Sequence, residues 1–182
     1  GDVYKRQLLV VARSFNFMYA TPCGDLFISE YIEGGGSNKC VEIYNPTASD
    51  IDLAAGNYNI FISINGGTSS STIDLTGSIT ANDVYVVCNT SATTAFTAQA
   101  DQTSGSISFN GNDVVLLRKN TTNIDAFGQI GNSADFAKDH TYVRKQTIQE
   151  GDTNDSDAFD ITVEWDEYAK DESSYLGSHT MD

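Results

Sequence analysis

An all-β sandwich or barrel is the fold class this sequence predicts, on three observations. Short apolar or alternating runs recur along the chain from Asp25 onward. Gly, Asn, Asp and Ser punctuate them at regular intervals. No window sustains a helical period.

The runs follow in order. LFISEYI (26–32) precedes EGGGSNK, and CVEIYN (40–45) precedes PTASD. YNIFISI (58–64) precedes NGGTSSS, and TIDL (72–75) and DVYVVC (83–88) come next. SISF (106–109), DVVLLRK (113–119), NIDAFG (123–128) and TYVRK (141–145) complete the set. Asn65-Gly66-Gly67 and Asn110-Gly111-Asn112 predict hairpin turns, because Gly and Asn tolerate positive φ. The Thr/Ala/Ser-rich stretch 90–104 predicts a long loop, or a short helix around Ala95 to Ala100. The acidic stretch 150–178 reads as irregular, and its Trp165 predicts a cover over one open end of the core. Tyr31, Tyr44, Tyr58 and Tyr85 lie within strands, which predicts core or edge packing over an open aromatic binding face.

Hydrophobic residues make up 40% of 182 positions, enough for one core and too many for disorder. Residues 25–180 form the predicted domain. Residues 1–24 read as a poorly defined N-terminal segment, a signal remnant or an assembly artefact. Its apolar run Leu8–Ala12 follows Lys5 and Arg6 but is broken by Arg13 and Asn16. No run is long enough for a transmembrane helix.

Asp and Glu total 25 against 10 Lys and Arg, a net charge of −15. Such a surface repels phosphate backbones and anionic lipid, which argues against non-specific nucleic-acid binding by this domain alone. Solubility accounts for the acidity, and divalent-cation binding is the sharper alternative. The three cysteines, Cys23, Cys40 and Cys88, include no CxxC pair, and His140 and His179 stand far apart in sequence, so a zinc site is not supported. Cys40 and Cys88 sit on strand-like runs. They pair as a disulfide if those strands are neighbours, or pack as small core residues.

Several runs together resemble the lamin tail domain family, and most closely its bacterial secreted branch. They are 26–60 (LFISEYIEGGGSNKCVEIYNPTASDIDLAAGNYNI), 81–89 (ANDVYVVCN) and 100–120 (ADQTSGSISFNGNDVVLLRKN), then 124–131 (IDAFGQIG), 151–165 (GDTNDSDAFDITVEW) and 176–180 (LGSHT). They span nearly all of 25–180 in family order. The resemblance implies an immunoglobulin-like β-sandwich. It also implies a non-catalytic binding or scaffolding accessory domain of a secreted or cell-surface bacterial protein, with no catalytic residues to carry over. The implied partners are protein, glycan or neighbouring domains of the same polypeptide. Two alternatives stay open: a structural subunit of an extracellular assembly, and an accessory fragment of a secreted nuclease whose catalytic domain lies elsewhere.

Four further residues are candidates for structural or binding roles. Glu30 and Glu42 belong to the family's SEY…VEIYN pair, and Asn45 and Trp165 accompany them. Strict strand alternation puts Leu26, Ile28, Glu30 and Ile32 on one face, an unusual place for a carboxylate. Glu30 then accepts hydrogen bonds from the following Gly-rich loop, or belongs to a cation or binding site between strands. Asp152, Asn154, Asp157 and Asp160 place oxygen ligands near those of a Ca²⁺ loop. Position six carries Asp157 where an EF-hand needs Gly, and position twelve is Val163, so a true EF-hand is rejected. A weaker Ca²⁺ loop and a plain loop of Asx turns remain. Arg118–Lys119 and Arg144–Lys145 read as a small positive spot or as ordinary surface salt bridges. No phosphate-binding loop and no G-x-S-x-G elbow occurs.

Overall fold

Alternating apolar positions in β-strands need a second layer to bury them, and two facing sheets supply it. The computed structural model describes residues 24–182; Cys23 and nearly all of the N-terminal segment 1–24 lie outside the described residues. The strands are β1 (Phe27–Glu33), β2 (Lys39–Tyr44), β3 (Ile51–Asp52), β4 (Tyr58–Ser63), β5 (Ser70–Asp74) and β6 (Ser78–Ile79). They continue as β7 (Val84–Cys88), β8 (Gln102–Thr103), β9 (Val114–Lys119), β10 (Thr122–Phe127), β11 (Thr141–Arg144) and β12 (Trp165–Tyr168). One sheet runs β12-β11-β1-β2-β7-β8, and the other runs β10-β9-β4-β5. The pairings are antiparallel except β7 with β8, and β3 and β6 form a small ribbon of their own. The fold is an immunoglobulin-like β-sandwich.

The pleat sorts the side chains. Val41 and Ile43 of β2, Tyr85 and Val87 of β7, Ile60 and Ile62 of β4, and Val115 and Leu117 of β9 meet in the central core. The alternate residues are buried as well. On the outer face of the six-stranded sheet, Ile32, Cys40, Val86 and Cys88 pack with Phe96 and Leu176. On the outer face of the other sheet, Val114, Leu116 and Ala126 form a third cluster, with Phe61 against it. Burial on both faces explains why these strands read as near-continuous apolar runs. Phe127 pins the sheets together: its ring centroid lies 4.2 Å from Tyr31 and 4.8 Å from Trp165, both on the opposite sheet.

Several local expectations hold. Asn65 (φ 52°) and Gly66 (φ 60°) adopt the left-handed conformation in the β4–β5 connection. A Cβ on Gly66 would also strike the Asn132 carbonyl. A short helix, α1 (Thr94–Thr97), stands in the Thr/Ala/Ser-rich stretch. Tyr31, Tyr44, Tyr58 and Tyr85 are all buried.

Three expectations are corrected. SISF (106–109) is not a strand, although Ile107 and Phe109 are fully buried in the core. Its backbone is satisfied instead by turns and by the Asn89 side chain, which donates to the Ile107 carbonyl at 2.6 Å. Asn110-Gly111-Asn112 therefore turns into β9 without closing a hairpin. Trp165 does not cap an open end from an irregular tail. It begins β12, the edge strand beside β11, and lies within the central core.

Candidate functional site

A β-bulge sets the site. β1 pairs with β2 as Ile28↔Ile43 and then Glu30↔Glu42, so Ser29 is the extra residue. The slip turns the rest of β1 over: Ile28 and Tyr31 face the core, whereas Ile32 packs in the outer cluster. Glu30 thus leaves the face of Ile28 and Leu26 that strict alternation predicts. It points to the outer side of the six-stranded sheet, beside its cross-strand neighbour Glu42.

The bulge also frees the Ile28 amide from the ladder, and Asp125 of β10 takes it at 2.7 Å. The same carboxylate accepts from the amides of Ala126 and Asp152 and from Arg144. Arg144 is 1% exposed. Its guanidinium also donates to the Ile28 carbonyl at 3.1 Å and to Glu164 at 2.5 Å, and it lies over the rings of Trp165 and Phe27. Burial works against its charge, but Asp125 and Glu164 outweigh that and raise its pKa. Arg144 is thus a buried tie between the sheets, which removes it from the positive surface spot considered above. Arg118 lies in the other sheet and stacks on Phe61 at 3.6 Å, while Lys119 pairs with Asp25 at 3.1 Å.

On the outer face, Glu42 accepts from Ser29 Oγ at 2.7 Å and from the Gly177 amide at 2.6 Å. Glu30 is 1% exposed, and neither of its carboxyl oxygens has a protein partner. Burial, then the nearby Glu42 and Glu172, push its pKa up to about 9. Burial pushes Glu42 up to about 7, against the bonds from Ser29, Gly177 and Ser178. The Gly-rich loop expected to satisfy Glu30 is engaged elsewhere, for Gly35 donates to Asp171 at 2.9 Å.

Leu176–Thr180 forms a strap across this face. Leu176 enters the outer cluster, and the His179 ring packs edge-on to Phe27 and Tyr44 at 5.8 and 5.0 Å. Gln146 donates to Thr180 at 2.8 Å. Burial, then Arg144, lower the His179 pKa to about 4. Under the outer cluster lies a disulfide between Cys40 and Cys88, cross-strand partners on β2 and β7.

Between the strap and the β11–β12 edge opens a cleft of about 500 Å³, with Asp166, Tyr168, Tyr175, Lys145 and Thr180 among its walls. The Tyr168 and Tyr175 rings lie 4.4 Å apart, tilted by 42° to each other, and Tyr175 is 38% exposed.

The remaining sequence candidates lie apart from this cleft. Asn45 is buried and organises its own loop, donating to the carbonyls of Ser49, Ile79 and Thr80 and accepting from Thr47. Asp152 accepts from the Asn154 amide, Asn154 from Ser156, and Asp160 caps the short helix α2 (Ile161–Glu164) through the Thr162 amide. These are Asx turns. Among the described residues no group of three or more His, Cys, Asp or Glu side chains is assembled to hold a metal ion. Sequence reasoning missed Ser29, Asp125 and the cleft tyrosines. Asp125 had one signal, a lone carboxylate inside an apolar strand run.

The buried acids and His179 set a pH window. Glu30 and Glu42 are raised, so their contribution is whole below about 4.5 and is lost as pH climbs through about 7 and 9. His179 is depressed, so its contribution is whole above about 6.5 and is lost as pH falls toward about 4. Urea denaturation as a function of pH is expected to show stability declining from pH 7 to 9, and Glu30→Gln is expected to flatten that decline. An equal decline in both proteins would contradict the assignment.

A family model described as Lamin Tail Domain matches residues 20–131, the span that includes β1 through β10. No curated protein matches the chain. Among the described residues no helix is long and apolar enough to cross a membrane.

Proposed function

The chain belongs to the lamin tail domain family, and on that premise we propose that it is a non-catalytic binding module of a secreted or cell-surface protein. The observation that carries the reading is the cleft beside β12. Its two tyrosines, tilted against each other, supply apolar walls, and Asp166, Lys145 and Thr180 supply polar groups around them. The acidic surface disfavours anionic polymers. A neutral polyhydroxylated ligand, a glycan, fits such a cleft best.

Two further features support the proposal. The Cys40–Cys88 bond fits an oxidising compartment such as the cell exterior. The buried pair Asp125 and Arg144 is committed to tying the sheets together.

A glycan array probed with the purified chain tests the reading. Binding is expected, and Tyr175→Ala is expected to weaken it by about tenfold or more while leaving the melting temperature unchanged, because an aromatic anchor dominates such contacts. A blank array rejects the glycan. Equal binding by the variant rejects the cleft.

A further inference from the structure

We propose that the Leu176–Thr180 strap is a pH-controlled latch, seated on the outer face while the Glu30–Glu42 pair holds at least one proton and released when the pair becomes doubly ionised. This goes beyond the binding reading and does not depend on any ligand. The geometry is specific. Glu42 is the strap's anchor, because it takes the Gly177 amide with one oxygen and Ser29 Oγ with the other. Those two donors favour a charged Glu42. Glu30 sits at the opposed position on the neighbouring strand with both oxygens buried and without protein partners. A second unpaired charge there is costly in a buried site.

The groups facing the pair aggravate that cost. Glu172 adds like charge to Glu30, and Asp101 adds like charge to Glu42. The cation packed against the strap is Arg144, whose guanidinium is committed to Asp125 and Glu164 and acts on His179. His179 is neutral throughout the alkaline range and brings no compensating charge. The strap is the piece that can yield. It is held by one buried leucine, one edge-on imidazole and a few hydrogen bonds. β1 and β2 are each paired on both sides within the sheet, and the disulfide staples β2 to β7. Lifting the strap admits water to both carboxylates, uncovers Phe27 and Tyr44, and removes one wall of the cleft.

Nuclear Overhauser contacts on the full chain test this between pH 5.5 and 10. The probes are Leu176 methyls to Phe96 and the His179 ring to Tyr44. Contacts from Ile60 methyls to the core serve as the control. In the wild-type chain the strap contacts are expected to fade as the carboxyl carbon of Glu30 titrates, with the core contacts intact. Glu30→Gln is expected to keep the strap seated at least one pH unit higher, a tenfold change in proton concentration. Strap contacts that persist to pH 10 in the wild-type chain overturn the latch. So does loss at the same pH in Glu30→Gln, or loss only together with the core. The wild-type titration alone decides the matter if the variant does not fold.

Discussion

Asp125→Ala is expected to lower the stability of the domain by about 3–5 kcal/mol, the range for stripping one partner from a buried ion pair. The substitution removes the acceptor for the amides of Ile28, Ala126 and Asp152 in a fully buried site. It also leaves the Arg144 guanidinium buried with only Glu164 opposite it, and Glu164 is partly exposed. The bulge at Ser29 makes the loss worse, because the Ile28 amide has no ladder partner to return to. Urea denaturation at pH 7 measures the effect. The double variant Asp125→Ala/Arg144→Met is expected to be less destabilised than the single one, since it no longer buries an unpaired charge. Additive losses in the two variants would contradict the pairing.

Reduction of the Cys40–Cys88 bond is the second large effect. The bridge closes a segment of 48 residues. By the chain-entropy relation a loop of that length gives about 4 kcal/mol at 25 °C. The bond also sits beneath Phe96 and Leu176, so packing around the reduced thiols is disturbed as well. Calorimetry with and without reductant is expected to show a fall in melting temperature of roughly ten degrees or more. The sheet register in the reduced form is expected to persist, because β2 and β7 are paired along their whole length by backbone bonds. A reduced protein as stable as the oxidised one would contradict a stabilising role for the bond.

Much of the sandwich was legible in the sequence for a simple reason. Strands such as 40–45, 83–88 and 113–119 are buried on both faces, so they stand out as apolar runs between turn residues. The elements that escaped are those whose burial is partial. β12 has one buried residue, Trp165, followed by two exposed acids, and no alternation signal survives in four positions. SISF alternates like a strand, yet the Asn89 side chain takes the Ile107 carbonyl and the amides of Ile107 and Ser108 close local turns.

The site was less legible, because a bulge leaves no mark in alternation. Reading β1 at strict period two puts Glu30 in the core, and one inserted residue, Ser29, moves it to the other face. Besides Ser29 and Arg144, the partners of Glu42 and Asp125 are backbone amides, among them Gly177, Ile28 and Asp152. Sequence spacing carries no record of such contacts. The tyrosines of the cleft come from β12 and from the segment leading to the strap, which meet through tertiary packing alone.

The proposed function has this lamin tail domain bind through the β12 cleft and leave its ligand chemically unchanged. The most direct test is an NMR titration of the full chain with a soluble glycan selected on the array, followed by analysis of the recovered saccharide. Shifts concentrated at Asp166, Tyr168, Tyr175 and Thr180 are expected, with the saccharide recovered intact. Shifts confined to another surface, or a cleaved saccharide from rigorously purified protein, would contradict it.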